Sequence, residues 1–161
     1  MTKFTDKYWM QKALVLAQLA DKKDEVPIGA IVVKDNTIIG QGFNQPIGLY
    51  DPSAHAEIQA LRDAAKHQQN YRLVNTCLYV TIEPCIMCVG AIVHSRIAKL
   101  YFGANEPKAG AIVSQTRQLD SQYINHHVEY SGGIYANECA ALVKGFFYRR
   151  RRKKRHQNRN A

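Results

Sequence analysis

The stretch Val26–Phe43, VPIGAIVVKDNTIIGQGF, decides the fold. Val26 to Val33 is an apolar, β-branched run, the pattern of a strand buried on both faces. Lys34-Asp35-Asn36 makes a turn, and Thr37 to Phe43 returns as a second strand. So tight a connection requires antiparallel pairing. Upstream, Tyr8 to Ala20 places Trp9, Ala13, Leu16, Ala17 and Ala20 at helical spacing, with Asp6 as the expected cap. Downstream, Asn44 to Tyr50 reads as a loop. Asp51-Pro52 reads as the start of a helix running to about His67. Cys77 to Ile82 is a short strand, and Glu83-Pro84 opens a helix to about His94. Ala98 to Phe102 is the next strand. A polar loop follows to about Ile124, then a short strand over His127 to Tyr130 and a helix from Ala136. Strands alternating with helices predict an α/β fold on one sheet, which the first hairpin makes mixed.

The chain has 161 residues, is 46% hydrophobic and carries a net charge of +9, so it can form a core without disulfides. No apolar run approaches a membrane span, and the polar start carries no cleavage signal, so a cytoplasmic protein is expected. The charge is uneven. Residues 149–161 hold eight Lys and Arg and no acid, and the remainder carries 14 basic against 13 acidic residues, or +1. A globular unit over 1–148, including the start of the C-terminal helix, and a basic tail over 149–161 are therefore expected. Such a tail either seeks phosphates or is a solvated solubility segment. The four cysteines, Cys77, Cys85, Cys88 and Cys139, do not make a disulfide framework for a cytosolic chain.

His55-Ala56-Glu57 lies near the start of the second long helix, and Pro84-Cys85-Ile86-Met87-Cys88 opens the third. Two thiolates and an imidazole suit tetrahedral zinc and leave a fourth position for water, as in catalytic sites. Zinc lowers the pKa of a bound water towards ~7, and a neighbouring carboxylate such as Glu57 can carry its proton. A C-x-x-C pair alone is equally compatible with a redox couple or half of a structural zinc site. Cys77, Cys139 and His94 are candidate fourth ligands there, although the two cysteines read as core thiols. The combination is more specific. H-A-E, 26 intervening residues and P-C-x-x-C are similar to the known zinc nucleobase deaminase signature.

The resemblance extends along most of the chain. Glu25–Ala30, Asn44–Gly48, Asp51–Ile58, Asn70–Leu73, Leu78–Cys85, His94–Ile97 and Phe146-Phe147 resemble the bacterial tRNA-specific adenosine deaminases of the cytidine/deoxycytidylate deaminase superfamily. That resemblance implies a three-layer α/β/α sandwich with a five-stranded mixed sheet, and a homodimer. It implies hydrolytic deamination of the wobble adenosine of a tRNA anticodon to inosine, typically in an arginine tRNA. It also implies one zinc ion per subunit on His55, Cys85 and Cys88, with Glu57 as the catalytic proton carrier. Asn44 and the backbone at Ala56 and Cys85 would hold the nucleotide, and Val26, Pro27 and Ile28 would line its pocket. Glu106, Lys108, Asn125, His126, Arg150 and Arg151 would meet the anticodon arm. Glu106 departs from the Asp common in the family. The competing readings are a deaminase of a free guanine- or cytosine-type base or nucleoside, a zinc-stabilised RNA-binding protein without turnover, and a redox protein.

Overall fold

A computed structural model describes residues 2–161. The elements are α1 (Asp6–Lys22), β1 (Gly29–Lys34), β2 (Thr37–Phe43), α2 (Pro46–Leu49), α3 (Ala56–Gln68), β3 (Cys77–Ile82), α4 (Ile86–His94), β4 (Lys99–Ala104), a 3-10 turn (Gln118–Asp120), β5 (Glu129–Ser131) and α5 (Ala136–Arg159). The five strands form one sheet in the order β2-β1-β3-β4-β5. β1 runs antiparallel to β2 and β3, and β3, β4 and β5 run parallel. The expected mixed α/β architecture is therefore present. Among the described residues no helix is long and apolar enough to cross a membrane.

The first hairpin closes on Asp35 and Asn36, both at positive φ (47° and 59°). Short polar side chains tolerate that geometry, and it matches the twist of the flanking strands. Alternation along β1 then serves two cores. Ala30 and Val32 face one cluster with Ala60, Leu61, Ile92 and Phe102. Ile31 and Val33 face the other with Trp9, Met10, Tyr79 and Cys139. Thus α3 and α4 cover one face, α1 and α5 the other, giving the three layers. On β2, Gly42 lets α3 lie directly on the sheet: a Cβ there would sit 2.6 Å from the Ala56 carbonyl oxygen. That close approach sets the position of the first turn of α3, next to His55.

Several boundaries differ from the sequence expectation. β1 begins at Gly29, not Val26, because Pro27 has no N–H and Ile28 N–H bonds back to the Val26 carbonyl at 2.8 Å. The cap of α1 is Thr5, whose side chain accepts from the Tyr8 N–H, and Asp6 is the first helical residue. Asn44 to Tyr50 contains the one-turn helix α2. Asp51-Pro52 does not open α3. Asp51 Oδ1 accepts from the Ser53 N–H (2.8 Å) and hydroxyl (2.7 Å), so its capping capacity goes to a turn, and the helix starts at Ala56. β4 runs to Ala104, and β5 is the three-residue strand Glu129–Ser131.

Candidate active site

Two helix N-termini meet at the same end of the sheet. His55 caps α3 in an extended conformation (φ −73°, ψ 153°) and supplies no side-chain capping bond. Asn44 replaces it: the buried Asn44 Oδ1 accepts the Ala56 N–H at 2.9 Å, one of the donors a helix start leaves unpaired. The imidazole of His55 is thereby free for another role. Cys85 is likewise extended as the cap of α4 (φ −79°, ψ 173°), with Cys88 buried in the first turn.

The Sγ atoms of Cys85 and Cys88 each lie 3.6 Å from His55 Nδ1. All three ligand atoms fall within 4.8 Å of one another. Zn–S of ~2.3 Å and Zn–N of ~2.0–2.1 Å at a tetrahedral angle place S and N about 3.6 Å apart. The three residues therefore fit a four-coordinate zinc with one open position.

The electrostatics suit a cation. The Cys88 thiol and the His55 ring bond to Cys85 and bring its pKa down to about 3, against the opposing effect of burial. The bond to Cys85 and burial push Cys88 the other way. His55 is raised by its bond to Cys85, although burial opposes this. Glu57 is 3% exposed. Burial pushes its carboxyl up to about 7, partly offset by a bond from its own backbone and by the nearby His55. A carboxyl poised near neutrality beside a candidate metal-binding triad can both accept and deliver a proton.

Of the residues expected to hold the nucleotide, Asn44, Ala56 and Ile28 are joined by hydrogen bonds. The Ile28 carbonyl accepts the Asn44 N–H at 3.1 Å, so hydrogen bonds link Ile28 to Asn44 and Asn44 to Ala56. Val26 and Ile28 are half-buried and Pro27 is buried. The residues expected at the RNA are more scattered. Glu106 is half-buried and its Oε1 accepts the Lys108 N–H at 2.9 Å, while the Lys108 side chain is exposed. Asn125 accepts Arg96 Nη1 through its Oδ1 at 3.2 Å, and His126 Nε2 lies 2.8 Å from the Ile97 carbonyl oxygen. Arg150 and Arg151 are exposed on α5.

Two further carboxylates were not singled out from the sequence. Glu25 accepts the Gly48 N–H at 3.0 Å and the Ile47 N–H at 3.4 Å, fixing α2 beside Asn44. Glu83 accepts the N–H groups of Glu106 (3.2 Å), Ile112 (3.1 Å), Val113 (3.0 Å) and Ser114 (3.0 Å), together with the Ser114 hydroxyl. Burial raises the Glu83 pKa, but these bonds outweigh it and the net shift is downward. The available signal was an acid at the end of an apolar strand, where burial demands partners.

The α/β/α frame on a five-stranded mixed sheet is the cytidine deaminase-like fold. Residues 4–151 match the MafB19-like deaminase family. The tRNA-specific adenosine deaminase of Haemophilus influenzae is 50% identical over 151 residues, covering 93% of this chain and 87% of that one. The tRNA-specific adenosine deaminase of Streptococcus pyogenes serotype M1 is 40% identical over 148 residues, covering 92% and 86%. A solved structure from a study of A-to-I editing by tRNA:A34 deaminases at the wobble position of transfer RNA superposes with a TM-score of 0.82. It is 41% identical, covering 84% of this chain and 98% of that one. A guanine deaminase from Nitrosomonas europaea shares the fold, with a TM-score of 0.77 at 22% identity over 91% of this chain and 86% of its own. The chain belongs to the MafB19-like deaminases and, among them, to the tRNA-specific adenosine deaminase family.

Proposed function

We propose that the protein hydrolyses the wobble adenosine of a tRNA anticodon, typically of an arginine tRNA, to inosine and ammonia. The observation that carries this reading is the buried Glu57 carboxyl beside a His55, Cys85 and Cys88 set with zinc-like spacing. One zinc ion per subunit would sit on those three side chains. Bound there, it would supply an acidified water at neutral pH.

Glu57 takes a proton from the attacking water and hands it to N1 of adenine as C6 becomes tetrahedral. It then takes the proton of the new C6 hydroxyl and delivers it to the amine, so that the C6–N bond breaks, ammonia leaves and the ring keeps the oxygen as a carbonyl. Asn44 Oδ1 is committed to the Ala56 N–H, which leaves the Asn44 amide N–H groups to orient the nucleotide. The Ala56 turn, the backbone at Cys85 and the Val26-Pro27-Ile28 segment wall the pocket. Adenine C6 is hidden in stacked, paired RNA, so the substrate is a loop nucleotide that can be splayed out. Glu106, Lys108, Asn125, His126, Arg150 and Arg151 would face the anticodon arm.

A homodimer is part of the same reading. The outer face of α4 exposes Ile86 (67%) and Met87 (37%) beside a groove formed with Tyr123 and Ile124, an apolar surface suited to a second copy. The four free cysteines accord with a cytoplasmic setting.

The test is mass-spectrometric nucleoside analysis of an anticodon stem-loop with adenosine at the wobble position, after incubation with zinc-loaded protein. Inosine at that position alone is expected. Absence of inosine from both the stem-loop and intact tRNA, with zinc at one per chain, would overturn the proposal.

A further inference from the structure

The segment between β4 and the 3-10 turn, residues 105–117, has no helix or strand of its own, yet Ala111 and Ile112 within it are buried. Its backbone N–H groups therefore need partners. Those of Ile112, Val113 and Ser114, three in succession, converge on Glu83 Oε2 at 3.1, 3.0 and 3.0 Å. Glu83 Oε1 takes the Glu106 N–H at 3.2 Å and the Ser114 hydroxyl. Successive N–H groups that curve around one point make a concave anion site. Here the chain supplies the anion itself, from a side chain that is 2% exposed.

The same loop holds the backbone on both sides of that carboxylate. The Glu83 N–H donates to the Ala104 carbonyl at 2.8 Å, and the Pro84 carbonyl accepts the Ala111 N–H at 2.9 Å. The next residue is Cys85, which is extended and makes no side-chain capping bond. Its carbonyl accepts the Val89 N–H at 3.0 Å, inside α4. Cys85 is thus a one-residue link between a loop wrapped on Glu83 and a helix. Ala111 and Ile112 also share a core cluster with Val89 and Ile92 of α4. A shift of the Cys85 turn therefore strains the bonds of the loop, and a loosened loop frees the Cys85 turn.

We propose that Glu83 is a positioning residue through which a divalent metal on His55, Cys85 and Cys88 and the order of the 105–114 loop stabilise each other. At 3.6 Å from His55 Nδ1, Cys85 Sγ can share one metal with it, and the loop holds Cys85 there through Pro84 and Glu83. A metal on Cys85 in turn restrains the anion around which residues 112–114 curve. Such coupling is reciprocal: the factor that loop order adds to metal affinity is the factor that the metal adds to loop order. Because Glu106 and Lys108 lie in this loop, metal loading would set the segment expected at the RNA. The inference rests on the zinc reading of the site above.

Hydrogen exchange of the full-length protein, zinc-loaded and zinc-stripped, reads one direction of the coupling. The amides of Glu106, Ile112, Val113 and Ser114 should exchange about 10–100-fold more slowly with zinc. The Arg72 amide, bonded to Asn70 Oδ1 in a different loop, should change much less. Glu83→Gln reads the other direction, by zinc competition against a chromophoric chelator and by visible absorption of the cobalt-loaded protein. Its zinc affinity should fall about 10–100-fold, the range for a group that orients a metal ligand, and the cobalt bands should shift. Ile31→Val, in the core on the other face of the sheet, is the stability control. It should lower the urea midpoint and leave zinc affinity and cobalt bands unchanged.

Equal slowing at Arg72 and in the loop would overturn the proposal. So would native zinc affinity and cobalt bands in a folded Glu83→Gln chain, or an equal loss of zinc affinity in Ile31→Val. If Glu83→Gln does not fold, the exchange comparison on the native chain decides alone. Coupling without inosine formation would leave Glu83 in its role and remove the proposed reaction. Inosine formation without coupling would remove the role of Glu83 alone.

Discussion

Glu83 Oε2 accepts the Ile112 N–H at 3.1 Å, tying the end of β3 to the long loop after β4. The same carboxylate takes the N–H groups of Glu106, Val113 and Ser114. Cys85 lies two residues further along the chain, so one side chain joins the turn that carries this candidate ligand to the loop that carries Glu106 and Lys108. Gly110 packs so closely that a Cβ there would sit 2.2 Å from Glu83 Oε2.

Replacing Glu83 by Gln puts an amide NH2 where N–H donors converge. One or more buried donors then lose their acceptor, at a cost of about 1–3 kcal/mol. The urea unfolding midpoint should fall accordingly, and limited proteolysis should gain cleavage between residues 106 and 114. An unchanged midpoint and cleavage pattern would show that the loop holds itself.

Asn44 separates stability from substrate binding. Asn44→Ala removes the acceptor for the Ala56 N–H and should cost about 0.5–2 kcal/mol, as loss of a helix cap does. Asn44→Asp keeps an acceptor and should restore most of the melting temperature. It lacks the amide donor, so its KM for the stem-loop should remain raised. Equal rescue of both quantities would confine Asn44 to a structural role.

Glu57→Gln is nearly isosteric and leaves the three candidate ligands in place. It should keep zinc at one per chain while turnover falls by roughly 10²–10⁴-fold. Inductively coupled plasma mass spectrometry and the inosine assay on one preparation check both halves. Retained turnover in a zinc-loaded variant would remove Glu57 from proton transfer.

Tyr79 gives a pH signature remote from the pocket. Burial, then donation of its hydroxyl to Asp6 Oδ1 at 2.7 Å, raise its pKa. A raised folded-state pKa means that the phenol's contribution is complete below the unfolded value of about 10 and fades as pH rises beyond it. The melting temperature of the native protein should therefore drop more steeply above pH ~10 than that of Tyr79→Phe. At neutral pH the variant should lose about 0.5–1.5 kcal/mol with its hydrogen bond. Tyr101, stacked on Tyr79 at 4.7 Å and also raised, retains some alkaline slope in both proteins. Parallel pH profiles would contradict the assignment.

Much of the architecture was legible in short-range pattern. β2 and β3 occur over the expected residues, and the Asp35-Asn36 hairpin makes the sheet mixed. Periods of two and 3.6 residues report which backbone buries which face, and they act over a few residues. The His55, Cys85 and Cys88 set was legible because ligand chemistry belongs to residue types, and helix starts bring such residues forward. The boundary of α3 was not. Asp51-Pro52 has the local form of a helix start, yet the competing bond to Ser53 and the distant Asn44 move the start to Ala56.

From the sequence alone come the α/β class, the antiparallel first hairpin, the candidate metal ligands and the concentration of positive charge at the end of the chain. Each depends on residue identity and on neighbours within a turn or two. Only the tertiary structure decided that Asn44 caps α3, that Glu25 and Glu83 fix the loops on either side of the pocket, and that the basic helix leaves beside Asp21 and Asp24. The physical reason is the range of the bonds. A buried carboxylate or amide must satisfy its hydrogen bonds, but its partners here lie from 12 to 31 residues away and meet it only once the sheet has assembled.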